Sequence, residues 1–155
     1  MPEKMEINDN KTLKLSNVLG RIITENEYSD VIKIVELMEG YIKSKGYFPV
    51  GPLIQCICVD VDSIGNPRMR MKLLRQSSNY INHIEAPYTM ESIIRITQCF
   101  YIHFTGDESK IKLAYDKIRV YAYEHDIELT GNSYTVFVDR VDDTVIADIF
   151  MEKKL

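Results

Sequence analysis

Residues 41–60, YIKSKGYFPVGPLIQCICVD, join a helix end, a turn punctuated by Gly46, Pro49, Gly51 and Pro52, and an apolar strand. Residues 121–140, YAYEHDIELTGNSYTVFVDR, repeat that grammar eighty positions later. A unit of this kind must bury one apolar face, so a duplicated unit repeats the positions that do so. Two half-domains of one design are therefore expected.

Upstream of the first stretch, residues 12–25 carry Val18, Leu19, Ile22 and Ile23 and read as a strand. A helix follows, capped by Ser29 or Asp30, with Val31, Ile34, Val35, Met38, Tyr41 and Ile42 on one face and Gly46 at its end. Strands are expected over 53–61 and 68–75, with Met69, Met71 and Leu73 alternating against Arg68, Arg70 and Lys72. Residues 76–90 contain Pro87 and have no clear period, which makes them the connector. The order then recurs: a strand over 92–104, a helix capped by Asp107 or Ser109 and carrying Ile111, Ala114, Tyr115, Ile118, Tyr121 and Ala122 on one face, and strands over 134–140 and 145–150. The eighty-residue offset pairs Ile22 with Ile102, Val31 with Ile111, Met38 with Ile118 and Gly51 with Gly131. The expected fold is α+β: a tandem strand-helix-strand-strand repeat forming an antiparallel sheet, two helices on one face, and a central cleft between the halves. In domain terms, residues 1–11 are a disordered or extended N-terminus, and 12–153 form one domain of two half-repeats, 12–75 and 91–153.

Composition narrows the functional classes. The 155 residues are 45% hydrophobic and 27% charged, enough for one buried core. With a formal charge of −4 and three scattered histidines, the chain offers no broad attraction for phosphate backbones, so nucleic acid is not an expected partner. No stretch approaches the roughly 20 apolar residues of a membrane span, and the N-terminal run has no apolar signal segment. No membrane partner is expected, and cytoplasmic localisation is the default. Cys56, Cys58 and Cys99 are expected to be reduced thiols, and Cys56 and Cys58 to be buried and unmetallated, because the remaining ligands of a four-coordinate site are missing. Cys99 with His103 as a nucleophile and base lacks an orienting acid. No phosphate-cradling glycine loop or nucleophile elbow is present, and no cofactor is expected.

The segment GYFPVGPLIQCICV after the first helix and the closing GNSYTVFVDRVDDTVIADIFMEKK, set within two strand-helix-strand-strand units, resemble the GyrI-like small-molecule-binding domain. This is the effector-binding module of several bacterial drug-responsive transcription regulators, and it also occurs as standalone proteins of about this length. The resemblance spans residues 12–153. It implies helices on one side of the sheet and, on the other, a cleft that binds hydrophobic, often cationic, compounds. Where the family has a tyrosine followed by a cleft-facing glutamate, this chain has Tyr134 and Thr135; where the family ends its last strand with proline, it has Met151.

Strand alternation assigns Thr135, Phe137 and Asp139 to the cleft, and the repeat adds Gln55 and Ile57 while leaving Ile54, Cys56 and Cys58 under the helices. Tyr101, Tyr47 and Phe48 are the aromatic candidates for stacking on a flat ligand. Such a cleft is mainly neutral, with Asp139 its nearest acid, and favours neutral ligands. Three functions remain open: a standalone binder of a hydrophobic or aromatic small molecule, a protein-interaction or inhibitor module contacting a larger protein, and a GyrI-like hydrolase. The missing glutamate counts against the last, so the chain is expected not to be an enzyme.

Overall fold

A computed structural model describes residues 5–155. Strand β1 (Asn8–Ile23) leads through a short 3-10 turn (Glu25–Asp30) into helix α1 (Val31–Ser44), followed by β2 (Pro49–Val61) and β3 (Pro67–Ser77). The second half repeats this as β4 (Tyr88–Asp107), a 3-10 turn (Glu108–Lys110), α2 (Lys112–Glu124), β5 (Leu129–Val141) and β6 (Thr144–Lys153). Pairing begins earlier in β1 than the expected residue 12, and β3 and β4 shorten the expected connector from both ends. Residues 1–4 of the expected N-terminal segment lie outside the described residues. Among those described, no helix is long and apolar enough to cross a membrane.

The six antiparallel strands run in the order β1-β3-β2-β5-β6-β4, and β4 returns to β1 to close a barrel. The halves meet twice, each time like strand against like strand. In the β2–β5 ladder Gln55 lies opposite Thr135, its counterpart eighty residues on, so the pseudo-twofold axis passes through that pair. Where β1 meets β4, Lys14 lies opposite Arg95.

Backbone conformation repeats with the halves. Left-handed residues end both helices, Gly46 after α1 and Asp126 after α2, and recur at Gly51 and Gly131 in β2 and β5. The buried stripes Ile34, Met38, Ile42 and Ala114, Ile118, Ala122 keep the eighty-residue offset. In β1 and β4 the offset grows by one. Leu19 and Ile23, packed under α1, correspond to Phe100 and Phe104 under α2, and left-handed Asn17 corresponds to Gln98. The expected pairing of Ile22 with Ile102 is thus off by one, and Arg21 holds the equivalent place.

Barrel closure decides which strand face is inside. One buried cluster contains Leu13, Leu15 and Val18 of β1, Ile54 and Cys56 of β2, Leu74 of β3, Cys99 of β4, Tyr134 of β5 and Phe150 of β6, so it draws on all six strands and neither helix. Two further clusters lie outside the barrel, one under each helix. Ile54 and Cys56 therefore line the barrel interior and not the underside of the helices, and half-buried Cys58 packs with them. The alternation expected for β2 holds, but its two faces are exchanged.

All three cysteines are free thiols. Burial, with a smaller effect of the neighbouring Cys58, pushes the Cys56 thiol up to about 12, and burial pushes Cys99 up to about 11. A raised thiol pKa means less thiolate at a given pH. At pH 8 a chromogenic disulfide reagent should label half-buried Cys58 well ahead of Cys56 and Cys99, with all three reacting together once denaturant unfolds the barrel. Equal labelling rates in the native protein would contradict this packing.

Candidate functional site

With the barrel interior filled by side chains, a concavity lies outside it, between α1 and the ladder formed by β2, β3 and β5. Its volume is about 750 Å³. It is thus on the helix-bearing surface and not, as expected, on the face away from the helices. Leu53 and Gln55 of β2, Leu73 of β3 and Phe137 of β5 form the floor. Val31, Ile32, Val35, Glu36 and Glu39 of α1 form one wall, with Tyr28 and Ser29 of the preceding turn at its end; Glu108 and Arg140 stand opposite.

Of the residues assigned to the cleft from sequence, Gln55 and Phe137 are in its lining. Ile57 is on the same face of β2 but half-buried beyond the lining. Thr135 is only 2% exposed, because the Tyr115 hydroxyl of α2 is hydrogen-bonded to its Oγ1. Tyr47 packs into the cluster under α1, and Phe48, 69% exposed, projects at the start of β2 away from the lining.

Tyr101 is on the inner face of β4. Its ring packs 5.1 Å from that of Phe150, and its hydroxyl donates to Asp148 Oδ1 at 2.7 Å. Burial, then this carboxylate, raises its pKa strongly. His103 Nδ1 is 2.7 Å from the same Asp148 oxygen, whereas Cys99 Sγ points at the carbonyls of Ile96 and Thr97. The paired use of Cys99 and His103 considered from sequence is therefore not assembled.

Asp139 is displaced by a β-bulge. Phe137 pairs with Ala147, but the next pair is Asp139 with Ile146, so β5 carries an extra residue at Val138. The slip exchanges the faces of everything after it. Arg140, opposite buried Val145, takes the cleft side, while Asp139 turns away and accepts a hydrogen bond from the Arg140 backbone N–H.

The cleft is consequently not neutral. Arg140 is held by Glu108 in a two-pronged ion pair that lowers the Glu108 pKa and raises its own. Glu39 Oε1 lies 3.9 Å from Nε of Arg75, a buried guanidinium that also donates to the Gly51 carbonyl. Glu36 makes no ion pair among the described residues. Sequence reading missed the α1 wall. The available signal was that Val31, Val35 and Glu39, and likewise Ile32 and Glu36, recur at intervals of four, a second helix face beside the buried stripe.

No family model and no curated protein matches the chain. Solved structures do. EcmrR, determined by cryo-electron microscopy in complex with DNA, superposes with a TM-score of 0.73 at 12% identity, over 97% of this chain and 57% of its own. This chain thus spans little more than half of EcmrR. SAV2435 bound to tetraphenylphosphonium matches with a TM-score of 0.52 at 11% identity, over 98% of this chain and 94% of its own. A hydrolase encoded by lin2189 from Listeria innocua gives 0.53 at 11%, over 99% and 93%. At such identities the likeness is one of fold, and it is consistent with the GyrI-like effector-binding fold that the sequence resembles.

The ion pair at the cleft rim can be tested directly. Arg140→Ala should return the Glu108 carboxyl toward the ordinary glutamate pKa, read by NMR titration. Because the folded-state pKa is depressed, the pair's stabilisation is present above the unfolded pKa and fades as pH falls through the folded one. The pH dependence of stability in the variant should be correspondingly flatter in that acidic window.

Proposed function

We propose that this protein binds a hydrophobic, aromatic small molecule in the cleft between α1 and the barrel, and that a ligand bearing positive charge is preferred. The observation that carries the reading is the cleft itself: about 750 Å³, floored by Leu53, Leu73 and Phe137 and walled by Val31 and Val35. Concavities of this size with an apolar lining and a few polar groups are the usual form of a small-ligand site. SAV2435, which shares the fold, is bound to tetraphenylphosphonium, and EcmrR carries the fold beside additional chain in a DNA-bound protein.

The charge preference follows from the wall. Of three lining carboxylates, Glu108 is matched by Arg140 and Glu39 faces Arg75, which leaves Glu36 to compensate a cation. Burying a cation without such compensation costs several kcal/mol (order of magnitude), and an aromatic face recovers only ~0.5–2 of it. The preference for neutral ligands expected from sequence rested on a lining with few acids; the α1 wall, which that reading did not include, adds Glu36 and Glu39. The reading is of a binder and not a catalyst: the family's glutamate position is occupied by Thr135, sealed under Tyr115.

Titration of matched neutral and cationic aromatic compounds should show tighter binding of the cation. Glu36→Gln should erase most of that difference while leaving the neutral compound's affinity in place, and Phe137→Ala should weaken both by about 1–2 kcal/mol. Equal cation affinity in the native protein, Glu36→Gln and Phe137→Ala would place the binding elsewhere.

A protein-interaction role is the second reading. It is favoured by the β2–β3 hairpin, whose Val61, Ile64 and Met69 are 64%, 79% and 71% exposed. Isolated surface apolar residues are ordinary, but several on one projecting hairpin suit a partner surface.

A further inference from the structure

Resting on the cleft reading above, we infer that Tyr115 is the specificity-determining residue of this protein: it occupies one of two symmetry-related half-sites and confines ligands to the other. Across the pseudo-twofold axis Gln55 faces Thr135 on the barrel, and Val35 of α1 is the counterpart of Tyr115 of α2 at the eighty-residue offset that the two buried helix stripes obey. A symmetric pair of units would offer a symmetric cleft. Instead, the first half contributes ten lining residues, Gln55 and Val35 among them, and the second contributes three. The Tyr115 side chain lies over its half of the axis with its hydroxyl bonded to Thr135, and neither residue reaches the lining. Valine at the equivalent point of α1 is too short to cover Gln55, so that half stays open.

The occupant of the open half is accordingly compact: a flat aromatic cation seated on Phe137 and Gln55 against α1, and not a propeller-shaped molecule that straddles the axis. In the closed half the arrangement is self-consistent. The Thr135 hydroxyl, shut off from water, has its partner in the Tyr115 hydroxyl, and burial raises the Tyr115 pKa, so the phenol remains neutral and able to donate.

The symmetry supplies reciprocal variants. Calorimetric titration would use two permanent cations, flat N-methylquinolinium and four-ringed tetraphenylphosphonium, against the native protein, Tyr115→Val, Tyr115→Phe and Val35→Tyr, each checked for native circular dichroism. Tyr115→Val should strengthen tetraphenylphosphonium binding by roughly tenfold or more and change N-methylquinolinium by less than about threefold. Tyr115→Phe keeps the ring and loses only the hydroxyl, so it should retain the native selectivity. Val35→Tyr should cover Gln55 and weaken both compounds by roughly tenfold or more. If Tyr115→Val does not fold, Val35→Tyr decides alone, since undiminished N-methylquinolinium binding there overturns the half-site assignment. Unchanged tetraphenylphosphonium affinity in folded Tyr115→Val, with Val35→Tyr still impaired, shows that the cleft binds but Tyr115 does not limit it. Binding of neither compound by any of the four proteins removes the cleft reading and this inference with it.

Discussion

Closure of the six-stranded sheet by β1 against β4 is the constraint on which the rest of the molecule depends. An open sheet has two faces and can cover one with helices while leaving the other as a concave surface for a ligand. Closure converts one face into an interior, and at six strands that interior is filled by side chains, Ile54, Leu74, Cys99 and Phe150 among them. Both helices must then lie outside. The groove where α1 leaves the β2–β5 ladder uncovered becomes a concavity on the outer surface.

Duplication and closure together place chemically different residues at equivalent points. A twofold axis through Gln55 and Thr135 would by itself make two like half-sites, but side chains need not obey backbone symmetry. Val35 against Tyr115 breaks the symmetry in volume, and Glu39 of α1 breaks it in charge, since its counterpart on α2 is Arg119, whereas Glu36 and its counterpart Asp116 are both acids. The result is one cleft with a preferred side. Asymmetry of this kind costs little stability, because the closed half satisfies its own polar group and the open half is lined by residues that tolerate water or ligand.

The shared fold with EcmrR, SAV2435 and the lin2189 hydrolase does not transfer a function by itself, since one fold hosts several activities. What bears on this chain is the chemistry at equivalent places: an acid-walled apolar cleft, and a buried threonine where the GyrI-like family carries its glutamate. Among the described residues, the Asp148–His103 contact on β4 and β6 is not part of the cleft lining.

Local sequence determined the order of elements, the helix faces and the strand alternation. Ile34, Met38 and Ile42, like Ala114, Ile118 and Ala122, are buried because their helical spacing leaves them no other face, and Asp107 caps its turn through Ser109 as its chemistry requires. Gln55 and Phe137, which line the concavity beside α1, were separable from their strand neighbours for the same reason: a period of two separates the faces of a strand. That period does not say which face is inside, and only the pairing of β1 with β4, some eighty residues apart in sequence, put Cys56 in the barrel and Gln55 under the cleft. Nor does it mark where a ladder slips. The extra residue at Val138 is defined by what lies opposite on β6, and it alone brought Arg140 to the cleft in place of Asp139. The closing of Thr135 by Tyr115 is tertiary in the same sense: a tyrosine on an apolar helix face reads as packing until the neighbouring strand supplies the hydroxyl that it binds.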